Sequence, residues 1–157
     1  MGAPRDAYQR IRGAYEDNVR LGMLVGASET LGYATEALIL AGDLDGAQRQ
    51  LDEAVEIAGK LGERVYLPQL YLLEAAIARS RGERTGADAS VRRAIAEARA
   101  QEAPWLELMA LIELCDHHNA TTKDRRALAA LVSELPQALD TPAARRARAV
   151  LDKTQSA

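Results

Sequence analysis

The stretch GDLDGAQRQLDEAVEIA, residues 42–58, decides the fold, because it recurs along the chain. Sliding it by 40 residues lays Gly42 on Gly82, Ala47 on Ala87, Leu51 on Val91, Ala54 on Ala94 and Ala58 on Ala98. A second slide brings Ala127 and Leu131 under Ala87 and Val91, and a backward slide brings Ala7, Ile11 and Ala14 under Ala47, Leu51 and Ala54. Small, large and small side chains at i, i+4 and i+7 share one face of an α-helix. Repetition at a fixed period is the mark of stacked, equivalent units. The spacing therefore predicts four equivalent helices.

Between them lies a second, more apolar set: Leu31, Ala34, Leu38 and Ile39; Leu70, Leu73 and Ile77; Leu108, Leu111, Ile112 and Cys115. Alternation of the two sets predicts helical hairpins over 26–61, 66–101 and 104–135, with short links near Gly42, Gly82 and Thr122. Gly62 and Pro104 punctuate the boundaries between hairpins, since Gly adopts the positive φ of a helix end and Pro suits a first turn. The chain opens inside an unpaired second-type helix, 4–21. It closes with Asp140-Thr141-Pro142, a cap followed by Pro at the first helical position of a helix over 141–153. In that last helix Ala143, Ala147, Val150 and Leu151 take one side. Arg145, Arg146 and Arg148 are expected on a solvated one. The fold class is all-α, a single domain over 1–157 built as tandem helix–turn–helix units in an α-solenoid with a C-terminal capping helix.

Composition agrees. Phe is absent and aromatics are only 4% of 157 residues, so the core must be Leu, Ile, Val and Ala, which suits close helix packing better than a sheet. Charge is uneven: residues 29–74 hold nine acids against three bases, and residues 120–157 hold seven bases against four acids. No dense basic stripe is present, so nucleic acid is not an expected partner. Neither a run of about 20 apolar residues nor a signal-peptide pattern is visible, and the lone Cys115 cannot form an internal disulfide, so the expected location is cytoplasmic, away from membranes.

The register resembles the tetratricopeptide pattern. There a small residue sits midway along the first helix, a role falling here to Thr35, Ala75 and Cys115, followed by Gly-Asp, here Gly42-Asp43, and then the spaced alanines. The period is 40 where about 34 is usual, which implies longer helices. Residues 63–114 further resemble the C-terminal helical repeats of ATPase-containing LuxR-type regulators and adenylate cyclase-like signalling proteins. The likeness is carried by Leu67-Pro68-Gln69-Leu70, Arg81-Gly82, Arg92-Arg93-Ala94 and Ala103-Pro104-Trp105-Leu106-Glu107-Leu108. The ending, Asp140-Thr141-Pro142 with Ala149-Val150-Leu151-Asp152, is similar as well. No phosphate loop accompanies it: Gly59-Lys60-Leu61 lacks the hydroxyl residue and the earlier glycine. No DNA-reading helix–turn–helix is found either. The resemblance thus implies only the sensing or scaffolding part of such a protein.

The densest chemical cluster is Cys115-Asp116-His117-His118-Asn119. Cys115 and His118 lie three apart and could reach one zinc ion, but a closed site needs four ligands and the chain has no second Cys and no His outside this cluster. Cys115 is better placed in the small-residue slot of its repeat. A buried thiol without an electropositive, exposed setting is inert. Acids such as Asp52, Glu53 and Glu56 are expected on a solvated outer face. No metal, no cofactor and no catalysis are expected. Trp105 either faces a partner, as Trp often does at binding hot spots, or closes a repeat junction, and the junction is the expected role.

In the tetratricopeptide pattern the first helices line a concave groove. The resemblance puts Glu29, Tyr33 and Glu36 there from the first hairpin, Gln69, Ala76 and Arg79 from the second, and Met109, Asp116 and Asn119 from the third. The set is mixed and slightly acidic and lacks a clamp for a C-terminal carboxylate. The expected function is a non-catalytic protein- or peptide-binding scaffold that takes a short helix or a basic extended segment. The alternative is a ligand-sensing module of a bacterial transcriptional regulator or cyclase-like protein. Finally, the first helix presents Ala7, Ile11 and Ala14 without a preceding partner. Either Tyr8 and Tyr15 cover that flank, or two copies of the chain form a homodimer there.

Overall fold

A computed structural model of the chain describes residues 3–117, 119–134 and 140–155. The protein is about 85% helical, with no strand among the described residues. Among the described residues eight α-helices follow one another: α1 (Ala3–Arg20), α2 (Ala27–Leu40), α3 (Leu44–Leu61), α4 (Leu67–Ser80), α5 (Arg84–Ala100), α6 (Pro104–His117), α7 (Thr122–Glu134) and α8 (Pro142–Gln155). One 3₁₀ turn, Arg64–Tyr66, leads into α4. Position 118 and residues 135–139 lie outside the described residues, so the metal reading of His118 and the end of the 104–135 hairpin do too.

The links explain the boundaries. At the end of α2 the Gly42 N–H donates to Ile39 O and the Asp43 N–H to Leu38 O, with Gly42 at φ 76°. At the end of α4 the Gly82 N–H donates to Arg79 O and the Glu83 N–H to Ala78 O, with Gly82 at φ 80°. This paired pattern closes a helix around a left-handed residue, a conformation glycine adopts without steric cost. The Asp43 carboxylate then accepts from the Gly46 N–H at 2.9 Å and starts α3. The third link has no such glycine. There Thr121 and Asp124 cap α7 reciprocally: the Thr121 N–H donates to the Asp124 carboxylate, and the Asp124 N–H to Thr121 Oγ1. Thr141 Oγ1 caps α8 through the Ala144 N–H, with Pro142 as its first residue.

Each helix packs on the next, and the apolar helices also meet directly: α2 with α4, α4 with α6, and α6 with α8. Gly32 lets α2 approach α4 closely, since a Cβ there would sit 3.2 Å from Leu70 Cδ2. Two apolar clusters result. One is centred on Leu31, Leu51 and Ala54 and takes Leu70 and Ile77 from α4; the other is centred on Leu108, Leu111 and Leu114 and takes Ala75 from the same helix. Helix α4 is therefore the seam. Thr35, Ala75 and Cys115 are all buried in the positions assigned to a small side chain.

The end helices depart from expectation. Ala14 is exposed, and Tyr15 is the buried residue of α1, with Tyr8 packed beside it on the first cluster. In α7 the fully buried residue is Leu128, while Ala127 and Leu131 are half-buried. In α8 the buried side is Ala144, Ala147 and Val150, with Ala143 and Leu151 only partly covered. Nor is its arginine side simply solvated. Arg146 bonds Asp116 and Glu113 of α6 at 3.1 Å each, and Arg145 pairs with Asp140. Glu53, expected in free solvent, instead receives Arg12 and ties α3 to α1.

Candidate functional site

Helices α2, α4 and α6 lie side by side, so residues in their first turns share one surface. A groove of about 230 Å³ opens across those N-terminal halves. Its floor is apolar, with Gly32, Leu70, Leu73, Leu106 and Met109. Glu29 and Glu36 stand on α2 at the rim, and Gln69 on α4. Tyr33, Tyr66 and Trp105 complete the wall. No lysine, arginine or histidine lines it.

Local structure fixes these groups. Glu29, Tyr33 and Glu36 fall at i, i+4 and i+7 and so project from one face of α2. The Tyr33 hydroxyl donates to Glu29 Oε1 at 2.8 Å, and the Tyr66 hydroxyl lies within the influence of the Glu29 charge. That bond, then partial burial, raises the Tyr33 hydroxyl above its ordinary pKa, while Tyr66 is raised first by burial and then by the charge of Glu29. The start of α2 is held by a carboxylate from outside the helix. Glu63 accepts from the Gly26 N–H at 2.6 Å, the Ser28 N–H at 3.0 Å and the Ser28 hydroxyl at 2.6 Å. Burial pulls the Glu63 pKa up, but these donors outweigh it and the net shift is down. A carboxylate at a helix N-terminus also meets the positive end of its dipole. Glu63 thereby locks the 3₁₀ turn that carries Tyr66 against α2.

Of the nine residues expected in the groove, the structure brings together Glu29, Tyr33, Glu36, Gln69 and Met109. The other four lie further along the helices and do not join them. Ala76 is half-buried on α4. Arg79 bonds Glu113 across to α6, and Asp116 receives Arg146 from α8. Asn119 shares with Arg79 and His117 a polar hollow of about 510 Å³ at the opposite end of these helices, where its carbonyl accepts from Arg92.

Two wall residues were not among the nine expected in the groove. Tyr66 precedes α4 in the 3₁₀ turn, so no helical face could be extended to it. Trp105, expected to close a junction, instead stands 44% exposed on the groove, which Tyr33, 49% exposed, also lines. A sole tryptophan in the first turn of a groove-lining helix was the available signal.

Cys115 is buried in the second cluster, and burial raises its thiol pKa, the opposite of activation. Among the described residues no group of three His, Cys, Asp or Glu side chains is disposed to hold a metal ion, and no helix is long and apolar enough to cross a membrane. The class established at this point is an all-α protein with a small acidic, aromatic groove across its apolar helices. Comparison with family models, curated proteins and solved structures finds no match to this chain.

Proposed function

We propose that the chain is a tetratricopeptide-like α-solenoid, capped by α8, that holds a segment of another polypeptide in the groove across α2, α4 and α6. The observation that carries this is the groove itself: an apolar floor, an acidic rim, and Tyr33 and Trp105 left about half in solvent. Exposed aromatics around a small apolar hollow are what a binding hot spot requires. The acidic rim favours a short helix or an extended segment that carries basic residues. A cytoplasmic place goes with this reading, since the lone cysteine is buried as a thiol.

Size weighs against a small metabolite as the occupant of this groove, the second reading. Pockets that engulf drug-sized ligands run to ~300–1,000 Å³, and this groove offers about 230 Å³ and stays open. It has room for a side chain or two, not for an enclosed cofactor.

Selection of random displayed peptides on the full chain tests the proposal. Peptides should be enriched, and Met109→Arg, which fills the floor, should weaken them more than tenfold while leaving the helical circular dichroism unchanged. Reversal at Asp116 is a poor probe of the groove, because it unpairs Arg146 of α8 instead. Equal recovery of peptides on the wild-type chain and on Met109→Arg would remove the groove as the binding surface.

A further inference from the structure

On the reading that this groove takes a polypeptide, we infer that its anchor is a cationic side chain, arginine or lysine with or without methylation, received by Tyr33, Tyr66, Trp105, Glu29 and Glu36. The chain has only five tyrosines and one tryptophan, and half of these six aromatics line this one groove. A cation against aromatic rings gains from the ring quadrupole, and gains more where water is thinned and carboxylates stand near.

The molecule already uses this arrangement twice within itself. The Arg12 guanidinium sits over the Tyr15 ring at 5.1 Å and bonds Glu53. The Arg93 guanidinium sits over the Tyr71 ring at 4.1 Å and bonds Glu74 at 3.0 Å. Each is a tyrosine, a glutamate and an arginine. The groove holds the tyrosines and the glutamates but no cation of its own. Acids elsewhere on these helices, Glu74 of α4 and Glu107 and Glu113 of α6, are paired with arginines. Glu29 bonds only the Tyr33 hydroxyl, and Glu36 makes no hydrogen bond or ion pair among the described residues, its charge acting on Tyr33.

A purely apolar anchor pressed into this hollow would strip water from both carboxylates and return nothing to them, a desolvation cost that a cation offsets. Volume agrees: about 230 Å³ admits one long, flexible side chain with its stem on Leu73 and Met109.

Trp105 is the only tryptophan, so its emission reports on the site directly. The intact chain would be titrated with N-acetyl-arginine methylamide and, separately, with its neutral isostere N-acetyl-citrulline methylamide. The arginine probe should change Trp105 emission saturably, about tenfold tighter than citrulline, and should weaken with added salt. The Glu29→Gln/Glu36→Gln double variant should abolish most of that preference while keeping its helical circular dichroism. Equal affinity of the two probes, or no saturable response to the arginine probe, overturns the inference. The two readings fail separately. Peptides that bind the groove equally well after arginine is replaced by citrulline and lysine by norleucine keep the polypeptide reading and remove the cationic anchor. Binding of the arginine probe with no peptide ever selected does the reverse.

Discussion

Helices α3 and α5 in the middle of the chain and α1 and α7 towards its ends carry the same spaced pattern, yet they bury it differently. Ala47, Leu51 and Ala54 of α3, and Ala87, Val91 and Ala94 of α5, are all essentially inaccessible. The equivalent Ala14 of α1 is exposed, and Ala127 and Leu131 of α7 are half-buried. The middle helices lie between two apolar neighbours, α2 and α4 or α4 and α6, whereas α1 packs substantially on α2 alone and α7 has one apolar neighbour, α6, with the arginine-rich α8 on its other side. A small side chain is therefore only permission for close approach. Burial requires an apolar helix on each side to accept it.

Core truncation puts the largest expected effect on this contrast. Leu51 of α3 is enclosed, so Leu51→Ala should cost about 3–5 kcal/mol, transfer and cavity together. Leu131→Ala, the same truncation at a half-buried site of α7, should cost about 1 kcal/mol. Urea midpoints of the two variants measure this, and equal losses would break the distinction between middle and end. The converse change sharpens it. Ala94→Leu forces extra carbons into a filled site and should cost about 1–3 kcal/mol or more. Ala14→Leu, on the exposed side of α1, should stay within about 0.5 kcal/mol of wild type.

The next effect concerns what joins the first hairpin to the second. Glu63→Gln keeps the shape but removes the charge that caps α2, and should cost about 1–2 kcal/mol at pH 7. The sign of its pH dependence follows from the lowered pKa. The folded carboxyl holds its proton less tightly than the unfolded one, near ~4.3. Its stabilisation is therefore complete above that value and is lost as pH falls through the lower, folded pKa. Melting temperatures of the wild type and Glu63→Gln should differ at pH 7 and converge in acid. A gap that persists at low pH would mean that the glutamate acts through shape rather than charge.

Much of this was legible in the sequence, for reasons that differ along the chain. Gly42 and Gly82 give two of the links, because a left-handed helix end leaves few other choices of residue. The faces of α3 and α5 were visible because neighbours on both sides demand the same sizes. The face of α1 was not. Ala7, Ile11 and Ala14 fit the pattern by size, yet the core takes Tyr15, and size alone cannot say which of two adjacent helical stripes turns inward. At the groove, Glu29, Tyr33, Glu36, Gln69 and Met109 are placed by the tetratricopeptide resemblance, and helical period accounts only for the first three sharing a face. Ala76, Arg79, Asp116 and Asn119 do not join, because a shared face says nothing of how far along the axis a hollow extends. The pairing of Arg146 with Glu113 and Asp116 depends on where α8 lands on α6, which spacing within either helix does not encode.

The subtlest test of equivalence lies between the hairpins. Gly62 ends α3 at φ 69°, with the Glu63 N–H returning to Ala58 O. Exactly one period later by number, Glu102 ends α5 at φ 51°, with the Ala103 N–H returning to Ala98 O. Glu102 is the only non-glycine residue with positive φ among the described residues. The two positions thus use one backbone conformation, but only the first has the residue that adopts it freely. An ordinary side chain held in the left-handed region costs roughly 1 kcal/mol. Glu102→Gly should therefore stabilise the protein by somewhat under that amount, since glycine also loses more freedom on folding. Gly62→Ala should destabilise it by about 1 kcal/mol. In a chain of this size those changes correspond to melting shifts of about 2–4 °C in opposite directions. If Glu102→Gly destabilised the chain instead, the carboxylate would hold that turn by interactions of its own, and the two junctions would not be equivalent.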